Sequence, residues 1–160
     1  MITVLTPTYN RAPLLDVLYK SLVEQCCTDF EWIVIDDGST DSTSALFEKL
    51  IQENKIHINY IKKTNGGKHT AINRGVKEAK GDIILIVDSD DSLPNDSLAL
   101  INKQYLKIKD EESIAGVCGL MAHHDGTIIG DRKISSSMNL SSIEMRYKYG
   151  FVGDVCEVFK

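Results

Sequence analysis

Asp88, Asp90 and Asp91, with Ser89 between them, stand directly behind the apolar run IILIV at residues 83–87. Carboxylates are hard oxygen donors, and a group of them suits Mg²⁺ or Mn²⁺ holding a phosphate. The run before them reads as a strand buried on both faces, as in a parallel sheet. Open sheets of that kind bind ligands at the carboxyl ends of their strands. A capped, solvated strand end is the plainer reading, but solvation rarely calls for three acids so close behind a core strand.

A second acidic pair, Asp36-Asp37, closes the apolar stretch at residues 32–35 and is followed by Gly38, Ser39, Thr40 and Asp41. Capping the next helix needs one acid or hydroxyl, and Asp41 supplies it. That leaves Asp36 and Asp37 over. A carboxylate at Asp37 is placed either to accept a hydrogen bond from an imide N–H such as uracil N3 or to serve as a further cap. The third stretch is TNGGKH, residues 64–69. Two glycines and Lys68 at a helix N-terminus make a diphosphate seat or a plain loop. It is not a P-loop, because GxxxxGK[ST] is not matched. His69, His123 and His124 read as surface residues.

These residues need elements to position them. Strands are expected at residues 2–5, 32–35, 56–61, 83–87, 115–121 and 154–159. Pro7 closes the first, and the last runs off the end of the chain as an uncovered sheet edge. Helices are expected from about residue 13, at 42–53, 69–79 and 96–109. Asp125-Gly126 reads as a hairpin turn, and Ser141-Ser142-Ile143-Glu144 as a capping box opening a short helix. Strand and helix alternate four times, the pattern of a doubly wound α/β fold with a largely parallel sheet. The loops after strands one, two and four then share one sheet edge, where Tyr9, Asp36, Asp37, Asp88 and Asp90 should converge.

The totals agree with one domain over residues 1–160. The net charge of −5 argues against a nucleic-acid-binding surface. Cys26, Cys27, Cys118 and Cys156 form no CxxC pair, which fits reduced thiols in the cytoplasm. The N-terminus lacks the basic and apolar regions of a signal peptide.

In order, TPTYNR, WIVIDDGSTD, NGGKHTAINRGVKEAKG and IVDSDD resemble a family 2 glycosyltransferase of the GT-A fold over about residues 2–100. The resemblance implies transfer of a sugar from a nucleotide-diphosphate sugar, UDP-linked for preference, to an acceptor hydroxyl with inversion. It implies Mn²⁺ or Mg²⁺ as cofactor. Tyr9 would stack on the base, with Pro7 and Thr8 lining its pocket. Asp37 would bond the base, and Asp36 would support it or reach the ribose. Lys68, with Asn73 nearby, would sit near the base or diphosphate. Asp88 and Ser89 would face the ribose side of the nucleotide. Asp88 and Asp90 match the DxD motif, with Asp90 on the metal and Asp91 as a second candidate ligand. Many relatives have an arginine where this chain has Ile72.

The acceptor would be a saccharide or a lipid-linked sugar, and a lipid-linked one would bring the protein to the inner face of the membrane. The catalytic base is usually an acid well downstream of the metal motif. Asp154 is the last candidate, and the expectation is that the acceptor half continues past Lys160. Two rivals share some of the features: a haloacid-dehalogenase-like phosphotransfer enzyme, from DSDDS at residues 88–92, and a phosphoacceptor receiver domain. The first usually has its nucleophile strand early in the chain, and the second needs its acidic pair on the first strand.

Overall fold

The computed structural model describes residues 1–123, 125–130, 138–141, 144–152 and 155–160. Its elements are β1 (Ile2–Thr8), α1 (Ala12–Val23), β2 (Phe30–Asp36), α2 (Thr43–Glu53), β3 (Ile58–Lys62), α3 (Lys68–Glu78), β4 (Ile83–Ile86), α4 (Ser97–Ile108), β5 (Gly116–Leu120) and β6 (Val155–Phe159). A single π-helical turn, Glu144–Lys148, precedes β6. They build one six-stranded sheet in the order β3-β2-β1-β4-β6-β5. β1 pairs in parallel with β2 and β4, and β2 with β3. β6 runs antiparallel to both of its neighbours, β4 and β5.

Every residue of β1 and β2 is buried. Period-two alternation sends their side chains to two cores. Ile2, Val4, Trp32, Val34 and Leu85 meet Leu15, Leu18 and Leu22 of α1, Phe47 of α2 and Leu98 of α4. Leu5, Ile33 and Ile35 meet Ala71 of α3 on the other face. The first core holds an aromatic ladder in which Tyr19, Trp32, Phe47 and Tyr60 follow one another at centroid distances of 6.2, 5.4 and 4.7 Å.

α3 lies close on the sheet because Gly75 faces it. A Cβ there would stand 2.1 Å from Leu5 Cδ1, and Leu5 is itself fully buried. Gly75→Val is therefore expected to destabilise the fold by about 1–3 kcal/mol, the usual cost of overpacking. Urea denaturation followed by Trp32 fluorescence checks it; an unchanged midpoint would show that α3 shifts freely.

Two boundaries differ from expectation. β1 does not stop before Pro7 but runs to Thr8, with Pro7 in register with Ile35. Leu5 C=O accepts from Val87 N–H and Thr8 C=O from Asp37 N–H. Alternate residues thus bond to opposite sides, and the Pro7 nitrogen faces the side where β4 has already ended, so no ladder bond is lost. β6 is not a sheet edge. It lies between β4 and β5, with Val158 buried in the core. The capping box is present as read: Ser141 Oγ accepts from Glu144 N–H at 3.1 Å, and Glu144 Oε2 accepts from Ser141 N–H at 3.0 Å. A bridge between Ala122 and Ile128 closes the hairpin around Asp125-Gly126. No helix among the described residues is long and apolar enough to cross a membrane.

Candidate active site

The carboxyl ends of β1, β2 and β4 and the N-terminus of α3 surround a cleft of about 260 Å³. Pro7, Thr8, Tyr9, Arg11, Asp37, Lys68, Ala71, Asp88, Ser89 and Asp90 line it. Most of the residues singled out in the sequence therefore meet. Asp36, Asn73 and Asp91 do not line the cleft, and Asp154 lies outside the described residues. Asn73 is exposed on α3 and lines a separate shallow groove with Thr70, Arg74, Lys77 and Glu78. Ile72 is partly buried against the Leu5–Ile33–Ile35 core.

Asp36 sits behind the cleft, fully buried. Its Oδ1 accepts from Ser39 N–H at 2.7 Å, and its Oδ2 accepts from the Tyr60 hydroxyl. Burial first, and the Asp36 carboxylate second, push the Tyr60 phenol well above its usual range, so it stays a donor. Because Tyr60 also stacks on Phe47, the aromatic ladder fixes the turn from which Asp37 emerges.

Asp37 is 3% exposed. It accepts from Lys63 Nζ, from Gly66 N–H at 3.0 Å and from Gly67 N–H at 2.7 Å. Gly67, at φ +90°, turns its N–H toward the carboxylate in a conformation that L side chains rarely adopt. Asp37 thus anchors the loop that starts α3. Burial pushes its pKa up, but Lys63 and the two N–H groups outweigh it and hold it below the usual carboxylate value. A lowered pKa gives stability that is present above the unfolded value near 4 and lost as pH falls through the folded one. The stability gap between wild type and Asp37→Asn should accordingly be constant above about pH 5 and shrink below about pH 4. Urea denaturation from pH 3 to 7 checks this; a gap that widens in acid contradicts it.

The rest of the cleft is a set of half-exposed ion pairs. Lys68 Nζ lies 2.6 Å from Asp88 Oδ1, and Arg11 Nη1 lies 3.2 Å from Asp90 Oδ2. Burial, then the charges of Asp88 and Asp90, raise the pKa of Asp91. Tyr9 offers a ring that is 48% exposed at the mouth. Thr8 is 4% exposed in the wall, and its Oγ1 is buried with no hydrogen-bond partner among the described residues. Lys63 and Arg11 escaped the sequence reading. The signal for each was present: both follow a strand whose carboxyl end faces this edge.

The donor set suits a divalent cation that is shared with a ligand. Among the described residues no three His, Cys, Asp or Glu side chains are grouped to hold a metal by themselves. Asp88 and Asp90 are two half-exposed carboxylates, and Mg²⁺ is typically held by one or two carboxylates with phosphates and water completing the shell. A cation held there would also relieve the charges of Asp88 and Asp90 that, after burial, raise the pKa of Asp91.

The family model "Glycosyl transferase family 2" matches residues 3–160. An uncharacterized glycosyltransferase of Haemophilus influenzae is 36% identical over 98 residues, 61% of this chain and 39% of that protein. TarS 1–349 of S. aureus, solved in complex with UDP, is similar at TM-score 0.62 and 34% identity, over 68% of this chain and 32% of that one. The mannosyltransferase PcManGT of Pyrobaculum calidifontis, solved with GDP-Man and Mn²⁺, is similar at TM-score 0.65 and 28% identity, over 76% and 35%. This chain thus spans less than half the length of the relatives it matches. The phosphotransfer and receiver readings are not favoured by these matches. The sheet order, the cleft at its carboxyl edge and the matched span have one explanation: the chain has the GT-A fold and belongs to glycosyl transferase family 2.

Proposed function

We propose that this chain binds a nucleotide-diphosphate sugar, UDP-linked for preference, and serves its transfer to an acceptor hydroxyl with inversion. One observation carries the reading. An exposed ring, a buried acceptor and two metal-competent carboxylates, from three loops far apart in sequence, line one cleft: Tyr9, Asp37, Asp88 and Asp90. The UDP bound by TarS and the GDP-Man and Mn²⁺ bound by PcManGT support it.

In this reading Tyr9 stacks on the base above Pro7 and Thr8, whose unpartnered hydroxyl gains a partner. Asp37 accepts from the base N–H. Asp36 acts from behind, through Tyr60 and Ser39, rather than at the ribose. Ser89 and Asp88 face the ribose side, and Lys68 the diphosphate. Asp90 and Asp88, with Asp91 beside them, would hold Mn²⁺ or Mg²⁺, which would supply positive charge against the departing diphosphate. Asn73 acts only if α3 turns it toward the donor. The acceptor is a saccharide or a lipid-linked sugar, and Asp154 is the candidate to take the proton from its hydroxyl.

The test is a panel of UDP- and GDP-sugars scored by thermal shift with and without Mn²⁺. At least one donor should raise the melting temperature in a Mn²⁺-dependent way. A panel in which every donor leaves it unmoved contradicts the reading. Tyr9→Ala should weaken uridine monophosphate binding by about 1–3 kcal/mol, the worth of one base stack. Equal calorimetric affinities for mutant and wild type would place the base elsewhere.

A further inference from the structure

We propose that Arg11 is a diphosphate-binding residue, parked on Asp90 until that carboxylate is engaged by a divalent cation; the proposal rests on the donor-binding reading above.

The backbone around Arg11 is fixed from both sides. Asn10 N–H donates to Ser39 Oγ at 2.8 Å, and Asn10 Oδ1 accepts from Thr40 N–H at 2.8 Å and Asp41 N–H at 3.3 Å. Ala12 N–H donates to Asp41 Oδ2 at 3.1 Å. Asn10 itself sits at φ +52°. Ser39 and Asp41 of the β2–α2 loop thus bond the main chain on either side of Arg11, and two loop N–H groups hold the Asn10 side chain beside it. Arg11 C=O accepts from Leu14 N–H at 2.9 Å, which also ties that point to the first turn of α1.

The guanidinium, by contrast, is loosely held. It meets Asp90 through one nitrogen at 3.2 Å, and both side chains are about half exposed, 48% and 53%. Exposed ion pairs of this kind contribute little. A rigid root with a free head is the arrangement of a residue that changes partner. The charges give the direction of the change. Asp37 is already neutralised by Lys63, and Lys68, the other cation lining the cleft, is paired with Asp88 in the same way and is freed toward the diphosphate with it. Arg11 held next to a newly bound divalent ion would be repelled by it. The diphosphate arriving with that ion is then the nearest anion, and a guanidinium matches its oxygens through two parallel N–H groups.

The experiment compares wild type with Arg11→Gln and Arg11→Lys by calorimetry, using uridine, UDP and GDP as ligands, with Mn²⁺ binding followed separately by electron paramagnetic resonance. Arg11→Gln should weaken UDP or GDP binding in Mn²⁺ by about 10–100-fold, as expected for a hydrogen-bonded charge. Uridine affinity should stay unchanged. Mn²⁺ alone should bind as well as to wild type or up to about fivefold tighter, since its competitor is gone. Arg11→Lys should fall between, because it keeps the charge and loses the fork. Undiminished diphosphate affinity in Arg11→Gln overturns the proposal. So does a parallel loss of uridine affinity, which would mean that Arg11 merely shapes the pocket. If wild type binds neither UDP nor GDP, the donor-binding reading fails; if wild type binds and Arg11→Gln binds equally, only the role of Arg11 falls.

Discussion

Asp90→Asn is expected to lower the Mn²⁺-dependent affinity for a nucleoside diphosphate by roughly 100-fold, while leaving uridine binding and the fold unchanged. The magnitude follows from metal sites in which loss of even an outer hydrogen-bonding partner costs about 10–100-fold. Asp90 is half exposed beyond the end of β4, and among the described residues its side chain bonds only Arg11, itself half exposed, so its removal leaves no buried partner unpaired there. Substitution also frees Arg11, which gives the mutant a distinct signature: metal-independent diphosphate affinity should survive. Calorimetry with UDP, with Mn²⁺ and with chelator, reads both. A mutant that keeps its Mn²⁺ dependence removes Asp90 from the metal site.

Asp37→Ala should act on both stability and binding. The carboxylate is buried and holds Lys63 and two backbone N–H groups. Removing one partner of a buried pair costs about 3–5 kcal/mol, and the lower end applies because Lys63 keeps part of its surface in water. The loop at Gly66 and Gly67 loses its anchor, so the start of α3 frays. Nucleoside binding should fall by a further factor of about 10–100, the worth of a charged hydrogen bond. The milder Asp37→Asn separates the two effects, since it keeps an acceptor and most of the volume. If Asp37→Asn and Asp37→Ala both bind uridine monophosphate as wild type does, Asp37 is an anchor for the loop and not a contact to the base.

How far the sequence disclosed this arrangement depends on the range over which each feature is decided. The IILIV run, the acid clusters and the helical stripe of α1 are local, and each element they specify is present. The convergence of Tyr9, Asp37, Asp88 and Asp90 followed from strand–helix alternation, because parallel crossovers put those loops on one edge. Pro7 misled because its effect depends on which neighbour its nitrogen faces, and that is settled only by where β4 ends. β6 reads as an edge from sequence because its insertion between β4 and β5 depends on pairing with residues 35 to 75 positions away. Asp36 was read as a companion of Asp37; its burial against Tyr60 depends on the register that places Asp36 beside Lys62. The same register carries Lys63, one step beyond β3, to Asp37. The position of Arg11 behind a strand end is a weak signal, because many residues share such a position without meeting a ligand. Its setting is made by the loop around Ser39 and Asp41.

The central claim is that this cleft takes a nucleoside diphosphate together with a divalent cation. Calorimetric titration of the wild-type chain with UDP and with GDP, each with Mn²⁺ and with chelator, tests it most directly, and incubation with acetyl phosphate serves as the counter-test. The account predicts saturable binding of one diphosphate per chain, strengthened by Mn²⁺, and no phosphorylation of Asp88. Absence of binding to either nucleotide, together with a stable phosphoryl group on Asp88, would contradict it.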